Sequence, residues 1–202
     1  GIELSAFSSY GLVAFRKKDD KSTEAGAKYL LIGAFSSALT LYGISLLYAL
    51  TGSVTFEGVN AFLTGLENGV IDGNFNELIF ISSLFITGGL GFKIAVVPFH
   101  AWAPDVYEGA PAPVTALLAA ASKAMGFVAL LKVFIFTLEP FAEEWKLVFG
   151  IIALISMTIG NLAALSQKDI GRMLAYSSIA QAGYILIAFP ALTQDAVSGA
   201  IA

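Results

Sequence analysis

The segment 85–131 decides the fold, because it holds two apolar runs: FITGGLGFKIAVVPFH (85–100) and VTALLAAASKAMGFVALL (114–131). A helix needs about 20 apolar residues to cross a bilayer, and these runs approach that length. Each run contains one lysine, Lys93 in the first and Lys123 in the second. An ionised side chain at bilayer depth costs about 2.5–3.5 kcal/mol, so a lysine retained there indicates an ion or proton pathway.

The composition of the whole chain is typical of a membrane protein. Its 202 residues are 57% hydrophobic and 13% charged, whereas soluble domains have about 25% charged residues. The sequence has no cysteine, which excludes a disulfide framework, a catalytic thiol and thiolate-bound clusters. The net charge of −4 is small and dispersed, so we expect no nucleic-acid partner. The chain begins GIELSAF and ends DAVSGAIA, and we interpret it as an internal fragment.

The apolar pattern predicts a single membrane domain over 1–202, an all-α polytopic transmembrane bundle. The expected helices are at about 1–15, 24–50, 77–108, 112–137, 146–165 and 173–189, with another beginning at 195–202. Thr23 or Ser22 is expected to cap the second helix. Residues 51–76, rich in glycine and asparagine, are predicted to be a connection, and Pro190 is predicted to end the last full helix.

The helix over 77–108 is predicted to be discontinuous near Pro98. Proline removes a helical N–H donor and clashes with the preceding turn. A broken helix at membrane depth is tolerated only when it is buried in protein or lines an aqueous cavity, and transporters place ion sites at such breaks. We therefore expect an interruption between Lys93 and Pro104.

Charges in the loops indicate the orientation of the chain. Basic residues are concentrated in 16–21 and 168–172, whereas 51–76 and 138–145 contain acidic residues and no basic ones. If 77–110 counts as one crossing, the positive-inside rule places both basic loops, together with PDVYEGAP (104–111), on the cytoplasmic side.

No redox centre is expected in this chain. One histidine cannot supply two axial haem ligands, and no thiolate is available for an iron–sulfur cluster. The segment GGLGFK (88–93) lies in a membrane helix rather than in a soluble βαβ unit, so it does not predict nucleotide binding. We expect neither a cofactor nor a metal to bind here.

One long motif resembles a known family. GFKIAVVPFHAWAPDVYEGAPAPVTALLAAASK (91–123) is similar to the antiporter-like membrane subunits of respiratory complex I, and in particular to subunit N of NADH–quinone oxidoreductase. The segments 24–48 and 165–184 resemble the same family. The middle of the motif, DVYEGAP, favours subunit N over the L and M subunits and over Mrp-type antiporters.

The resemblance implies roles for five residues. Glu3 matches the glutamate of the family's fifth helix, and Lys28 matches a lysine of the sixth. Lys93 matches the lysine of the broken seventh helix, His100 the histidine of the break, and Lys123 the lysine of the eighth helix. The resemblance thus implies that these residues form a proton relay. Because opposite charges at membrane depth are costly apart, we also expect Glu3 and Lys93 to meet directly or through one water, and Glu3 to control the proton carried by Lys93.

The resemblance also implies the setting of this relay. The expected function is proton translocation in a NADH–quinone oxidoreductase, coupled to electron transfer in other subunits, which hold NADH, FMN, iron–sulfur clusters and quinone. The expected partners are other membrane subunits of complex I, the lipid bilayer, protons and internal water. The expected location is a bacterial inner membrane rather than an organellar or thylakoid membrane. The alternatives are a subunit of an Mrp-type cation/proton antiporter and a passive membrane scaffold.

Structural roles remain open for several of these residues. Lys93 and Lys123 would also fit buried ion pairs that hold helices together. Lys28 lies four residues after Glu24, a helical pairing distance, and its long side chain would reach the interface. His100 would also suit a hydrogen bond to backbone carbonyls freed at the break.

Three further charged residues are expected to lie outside the relay. Lys132 follows Lys123 by nine residues, which places it on another face of the helix. Asp105 and Glu108, beside the prolines of the motif, are expected to act as helix caps or subunit contacts.

Overall fold

The computed structural model describes residues 1–71 and 73–201, and these residues form helices and connections without a β-strand. Five helical segments within this described part are long and apolar enough to cross a membrane. The predicted all-α membrane fold is therefore confirmed. The helices are α1 (Ile2–Val13), α2 (Asp20–Thr51), α3 (Phe56–Glu67), α4 (Asn76–Ile94), α5 (Trp102–Gly109), α6 (Ala112–Leu117), α7 (Lys123–Leu130), α8 (Ala142–Leu165), α9 (Ile170–Leu186), α10 (Ala188–Ala191) and α11 (Gln194–Ile201).

Helix α2 begins four residues earlier than predicted. Its N-cap is Asp19, whose side chain accepts a hydrogen bond from the Lys21 N–H at 3.1 Å. The prediction that Ser22 or Thr23 caps this helix is wrong. Ser22 is buried and donates its hydroxyl proton to the Val13 carbonyl of α1, while Thr23 bonds to the Asp19 carbonyl one turn back. The helix ends at Gly52, whose φ of 66° suits a residue without a side chain.

The predicted connection 51–76 contains a helix, α3, which is a second correction. The Thr55 side chain caps this helix by accepting a hydrogen bond from the Gly58 N–H at 3.1 Å. Val59 and Leu63, one turn apart, are its buried positions. The glycine and asparagine content of the segment hid this short amphipathic pattern. Asp72 of the same connection lies outside the described residues.

The chain leaves helical geometry before Pro98. Helix α4 ends at Ile94 because Ala95 adopts a left-handed conformation with φ of 56°, and helix structure resumes in α5 at Trp102. Two buried hydrogen bonds that involve side chains hold the non-helical residues between α4 and α5 in place. The Val97 N–H donates to Ser156 Oγ of α8 at 2.9 Å, and the Trp102 indole N–H donates to the Phe92 carbonyl at 3.0 Å. The Val97 N–H and the Phe92 carbonyl are thus satisfied by protein groups, as an apolar environment requires.

The helical segment after α5 is continuous but not uniform. Between α6 and α7 the residues Leu118–Ser122 are π-helical, and Leu131–Ile135 after α7 are π-helical as well. A 3₁₀ turn over Glu139–Phe141 precedes α8. The predicted helix 112–137 thus ends at about Ile135, and the one predicted at 146–165 begins at Ala142.

The last helices also differ from the prediction. Asp169 caps α9, its side chain accepting from the Arg172 N–H at 2.9 Å, so α9 begins at Ile170 rather than at 173. Pro190 does not end a helix. It lies within the four-residue α10, where proline is tolerated because first-turn N–H groups lack helical partners. The chain turns at Leu192 instead, with φ of 49°. The helix predicted over 195–202 is α11, although Ala202 lies outside the described residues.

Helix α5 packs between two parts of the bundle. Helix α2 packs against α1 and α4, α8 pairs with α9, and α5 contacts both α2 and α9. One core contains Leu130, Phe134, Trp145 and Phe149, and a second contains Tyr29, Trp102 and Val106. The half-helix α5 therefore joins the amino-terminal helices to the α8–α9 pair.

Candidate functional site

Lys93 is buried in the last turn of α4. The residue is 5% exposed, and its Nζ makes no hydrogen bond with any of the described residues. Gly126 of α7 provides room for its side chain, since a Cβ at position 126 would lie 3.3 Å from the Lys93 Cγ. A buried ammonium without a fixed partner is costly. The Lys93 side chain therefore suits a site at which a mobile acidic group or a water molecule binds the ammonium in one state and leaves it in another.

Glu3 lines the same cavity as Lys93. This cavity, of about 320 Å³, has walls from α1, α2 and α4, including Ser36 and Ser37. A water occupies about 30 Å³ in the liquid, so the cavity has room for several waters. The Glu3 carboxylate accepts a hydrogen bond from the Ser37 hydroxyl. Glu3 and Lys93 make no direct ion pair in the described structure, so any contact between them runs through water or requires movement.

Lys123 lies in a different cavity. It is 6% exposed, and its Nζ donates to the Ser178 carbonyl at 2.8 Å and to Ser178 Oγ at 2.9 Å. The cavity has a volume of about 1050 Å³, lies between α7 and α9, and is largely apolar. Lys123 is therefore buried in the bundle, and its ammonium is held by Ser178 of α9.

The backbone around Lys123 is unusual. A π-helical turn over Leu118–Ser122 ends immediately before it, and a second begins at Leu131. Such turns are rare and are frequently found at functional sites. They change the direction in which the following side chains project, and no apolar periodicity in the sequence signals them.

Lys28 belongs to a third group, the ion-pair cluster, which consists of Lys21, Lys28, Asp105, Glu108 and Arg172. Lys28 Nζ lies 2.6 Å from Asp105 and 2.7 Å from Glu24, the helical partner considered above. Arg172 Nη1 lies 2.6 Å from Asp105 and 3.1 Å from Glu108, and Lys21 Nζ lies 2.5 Å from Glu108. The structure thus brings Glu3 and Lys93 together but places Lys28 elsewhere.

The cluster explains the ionisation of its two acids, which lie in α5 outside the candidate spans. Burial raises the pKa of Asp105, but hydrogen bonds from Lys28 and Arg172 outweigh that effect and hold its pKa below the usual value. Hydrogen bonds from Lys21 and Arg172 likewise lower the pKa of Glu108. Instead of capping helices, these acids join α5 to α2 and α9 within the chain.

His100 lies in the interval between α4 and α5. Its Nδ1 is buried and has no hydrogen-bond partner among the described residues, and its ring lies beside the backbone of Pro98. Lys132 is exposed, and its Nζ lies 5.1 Å from the centre of the Phe136 ring.

Three residues with important contacts were missing from the sequence prediction: Ser156, Arg172 and Ser178. Each contacts a residue at least 55 positions away, and serine in an apolar helix is too common to draw attention. Arg172 was counted only as a loop charge, although it lies in the first turn of α9.

These features define a multi-pass membrane protein with an interrupted helix and buried lysines that line cavities between its helices. Comparison with known proteins identifies the family to which the chain belongs. The chain belongs to the family described as NADH:quinone oxidoreductase/Mrp antiporter, TM, whose pattern matches residues 1–202.

Relatives and solved structures agree with this assignment. NADH-quinone oxidoreductase subunit N 2 of Symbiobacterium thermophilum is 47% identical over 98% of this chain and 40% of its own length. A chain of respiratory complex I from Thermus thermophilus is 37% identical with a TM-score of 0.74, over 93% of this chain and 38% of its own. A chain of the Mrp complex from Dietzia sp. has a TM-score of 0.86, covering 99% of this chain and 36% of its own. At 21% identity, it shows the fold alone. The chain thus spans about two fifths of the length of these proteins.

Proposed function

We propose that this chain is the proton-translocating portion of a subunit N of NADH–quinone oxidoreductase. The observation that carries the proposal is the shared cavity of Glu3 and Lys93, in which a buried ammonium has no fixed partner. The similarity to subunit N of Symbiobacterium thermophilum over nearly the whole chain supports the same function.

The mechanism follows from the arrangement of this cavity. When the Glu3 carboxylate approaches Lys93, the two opposite charges stabilise each other and Lys93 holds its proton. When Glu3 stays with Ser37, as in this structure, the isolated ammonium is destabilised and tends to release its proton. A change in the position of Glu3 therefore switches Lys93 between holding and releasing a proton.

The rest of the proposed proton route uses four basic residues: Lys93, Lys123, His100 and Lys28. Lys93 passes its proton along the middle of the membrane to Lys123 through water, and His100 assists at the helix break. Lys28, in the ion-pair cluster, holds the cytoplasmic end of the route. Since Lys93 and Lys123 line separate cavities, transfer between them requires water or side-chain motion near Gly126.

Electron transfer takes place elsewhere in the proposed complex. Other subunits hold NADH, FMN, the iron–sulfur clusters and quinone, and this chain contacts other membrane subunits, lipid, protons and internal water. The proposed location is a bacterial inner membrane. An Mrp-type cation/proton antiporter has less support, because the Dietzia structure shares the fold at only 21% identity. A passive scaffold would not explain why Lys93 is kept buried without a partner.

The test is a charge-neutralising substitution in the full-length subunit within its complex. Glu3→Gln keeps the hydrogen bond with Ser37 but removes the charge that stabilises the Lys93 ammonium. In inverted membrane vesicles we expect normal assembly, with proton uptake and quinone reduction falling together. Glu143→Gln is the matched control, because Glu143 is exposed and, among the described residues, pairs only with Lys146 on its own helix.

Two results would contradict the proposal. Normal proton uptake in both Glu3→Gln and Lys93→Ala would show that the cavity is structural. Proton uptake driven by a sodium gradient, without any dependence on NADH, would favour the antiporter.

A further inference from the structure

Ser178 contacts the Lys123 ammonium in a way that suits proton transfer. Its Oγ accepts a hydrogen bond from Lys123 Nζ at 2.9 Å and donates one to the Ala175 carbonyl at 2.8 Å. A hydroxyl has one donor proton and two acceptor lone pairs, so it can receive one proton while releasing another. Holding the ammonium does not by itself require this hydroxyl, because the Ser178 carbonyl already accepts from Lys123 at 2.8 Å.

A second hydroxyl belongs to a residue that lines the same cavity as Ser178. Tyr107 of α5 is 5% exposed, and its buried hydroxyl has no hydrogen-bond partner among the described residues. Close packing fixes this position, since a Cβ on Gly171 of α9 would lie only 2.7 Å from the Tyr107 carbonyl. Tyrosine is not needed for packing here. Phenylalanine would keep the ring contact with Trp102 without the cost of burying an unpaired hydroxyl.

Tyr107 also adjoins the ion-pair cluster. The next residue, Glu108, pairs with Lys21 and Arg172 and lines the cavity that contains Lys123. Tyr107 and Ser178 line the same cavity. Glu108, Tyr107, Ser178 and Lys123 therefore all line one cavity.

We infer that Ser178 and Tyr107 form a hydroxyl relay that carries protons between Lys123 and the end of the bundle at Glu108. This inference rests on the proposed function, because it assumes that Lys123 carries a transported proton. It assigns the relay step on the cytoplasmic side of Lys123 to two residues of α5 and α9.

The transfer conserves every proton. The Ser178 hydroxyl turns from the Ala175 carbonyl to Tyr107 Oη. Lys123 then gives a proton to Ser178 Oγ while Ser178 gives its own proton to Tyr107 Oη, and the phenol proton passes to a water molecule in the cavity. Lys123 ends as a neutral amine, both hydroxyls are restored, and one proton leaves towards Glu108. The reverse sequence reprotonates Lys123.

The test compares hydroxyl deletions in the full-length subunit within its complex, assayed by donor-driven proton uptake in inverted membrane vesicles. Ser178→Ala removes the relay oxygen but keeps the backbone contact to Lys123, and Tyr107→Phe removes only the phenol oxygen. The loss of one hydrogen bond to a charged group corresponds to about a tenfold effect or more. We therefore expect proton uptake to fall about tenfold in each variant, with an increased solvent deuterium isotope effect.

Matched variants separate a relay from a structural role. Ser178→Thr retains a hydroxyl and should restore most of the rate. Ser177→Ala removes the neighbouring serine, which is exposed and lines the same cavity but makes no hydrogen bond to Lys123 among the described residues, and should behave as the parent. If Ser178→Ala fails to assemble, Tyr107→Phe and Ser178→Thr still decide the question.

Lys123→Ala distinguishes failure of the inference from failure of the proposed function. If Lys123→Ala abolishes uptake while Tyr107→Phe and Ser178→Ala remain at the parental rate and isotope effect, the relay is wrong and the proposed function stands. If Lys123→Ala itself pumps at the parental rate, both are wrong. A loss in Ser178→Ala that Ser178→Thr does not restore would also overturn the relay.

Discussion

Ser156→Ala should loosen the interval between α4 and α5 that follows Lys93. Ser156 is fully buried in α8, and its Oγ accepts the Val97 N–H at 2.9 Å. Alanine fills nearly the same space, so the main effect is an unpaired N–H. That donor has no helical partner to return to, because α4 has already ended at Ile94.

The magnitude follows from the burial of this donor. Hydrogen bonds between membrane helices are worth about 0.6 kcal/mol on average and about 1.7 at most, because the separated groups find other partners. Leaving a buried donor unsatisfied costs about 1–3 kcal/mol. The cost of an unsatisfied buried donor applies to the Val97 N–H, since Val97 is buried and its backbone lies outside any helix. Local opening of 95–101 should therefore become about 5- to 150-fold more frequent.

Hydrogen exchange measured by mass spectrometry on the full-length subunit in its complex would test this. Peptides covering 95–101 should exchange faster in Ser156→Ala, while peptides from α2 should be unchanged. Coupled proton uptake should also fall, because Lys93 precedes the loosened interval. Ser45→Ala is the control, since Ser45 is exposed and its hydroxyl bonds, within the described part of the chain, only to the Tyr42 carbonyl of its own helix. Equal exchange at 95–101 in the two variants would refute the argument that Ser156 holds the break.

Two more predictions concern packing and charge. Gly126→Ala places a methyl group 2.6 Å from Ile94, so it should destabilise the bundle by about 1–3 kcal/mol. Gly150→Ala, with open space around it, should be neutral or slightly stabilising in the same detergent unfolding assay. Arg172→Gln should destabilise the subunit by up to about 1 kcal/mol at pH 7 and raise the pKa of Glu108 towards its ordinary value of 4.5. Because a lowered carboxyl pKa stabilises the fold above that value and the benefit disappears as pH falls through the lowered pKa, the difference between Arg172→Gln and the parent should vanish in acid. A difference that stays constant from pH 7 to acid would show that the ion pairs are irrelevant.

The sequence predicted the membrane helices well because length and apolarity are local properties. A run of about 20 apolar residues has few alternatives to a spanning helix, so the segments of α2, α4, α8 and α9 were recognised with errors only at their ends. The expected interruption near Pro98 was likewise a local inference, because proline removes a helical N–H donor, although the helix ends at Ile94, where Ala95 is left-handed. The caps were less predictable, since Ser22 and Asp19 are both suitable and only the contact of Ser22 with Val13 decides between them.

The candidate site was predicted only as a set of residue types. Lysine in an apolar run is visible in the sequence, and Lys93 and Lys123 are indeed buried. Where each ammonium points depends on helices that are distant in the chain. Ser178 lies 55 residues from Lys123, and Asp105 lies 77 from Lys28. No local pattern encodes such separations.

The sequence by itself therefore determined that this chain is a helical membrane bundle with lysines that must be buried, since hydrophobicity and proline geometry act over a few residues. Only the tertiary structure decided which groups those lysines meet. Packing placed Lys93 in a cavity with Glu3, turned Lys123 towards Ser178, and drew Lys28 into the ion-pair cluster with Asp105. The physical reason is that a charge in an apolar bundle is stabilised by whichever polar groups the crossing helices bring within about 3 Å, and that choice depends on the packing of the whole bundle.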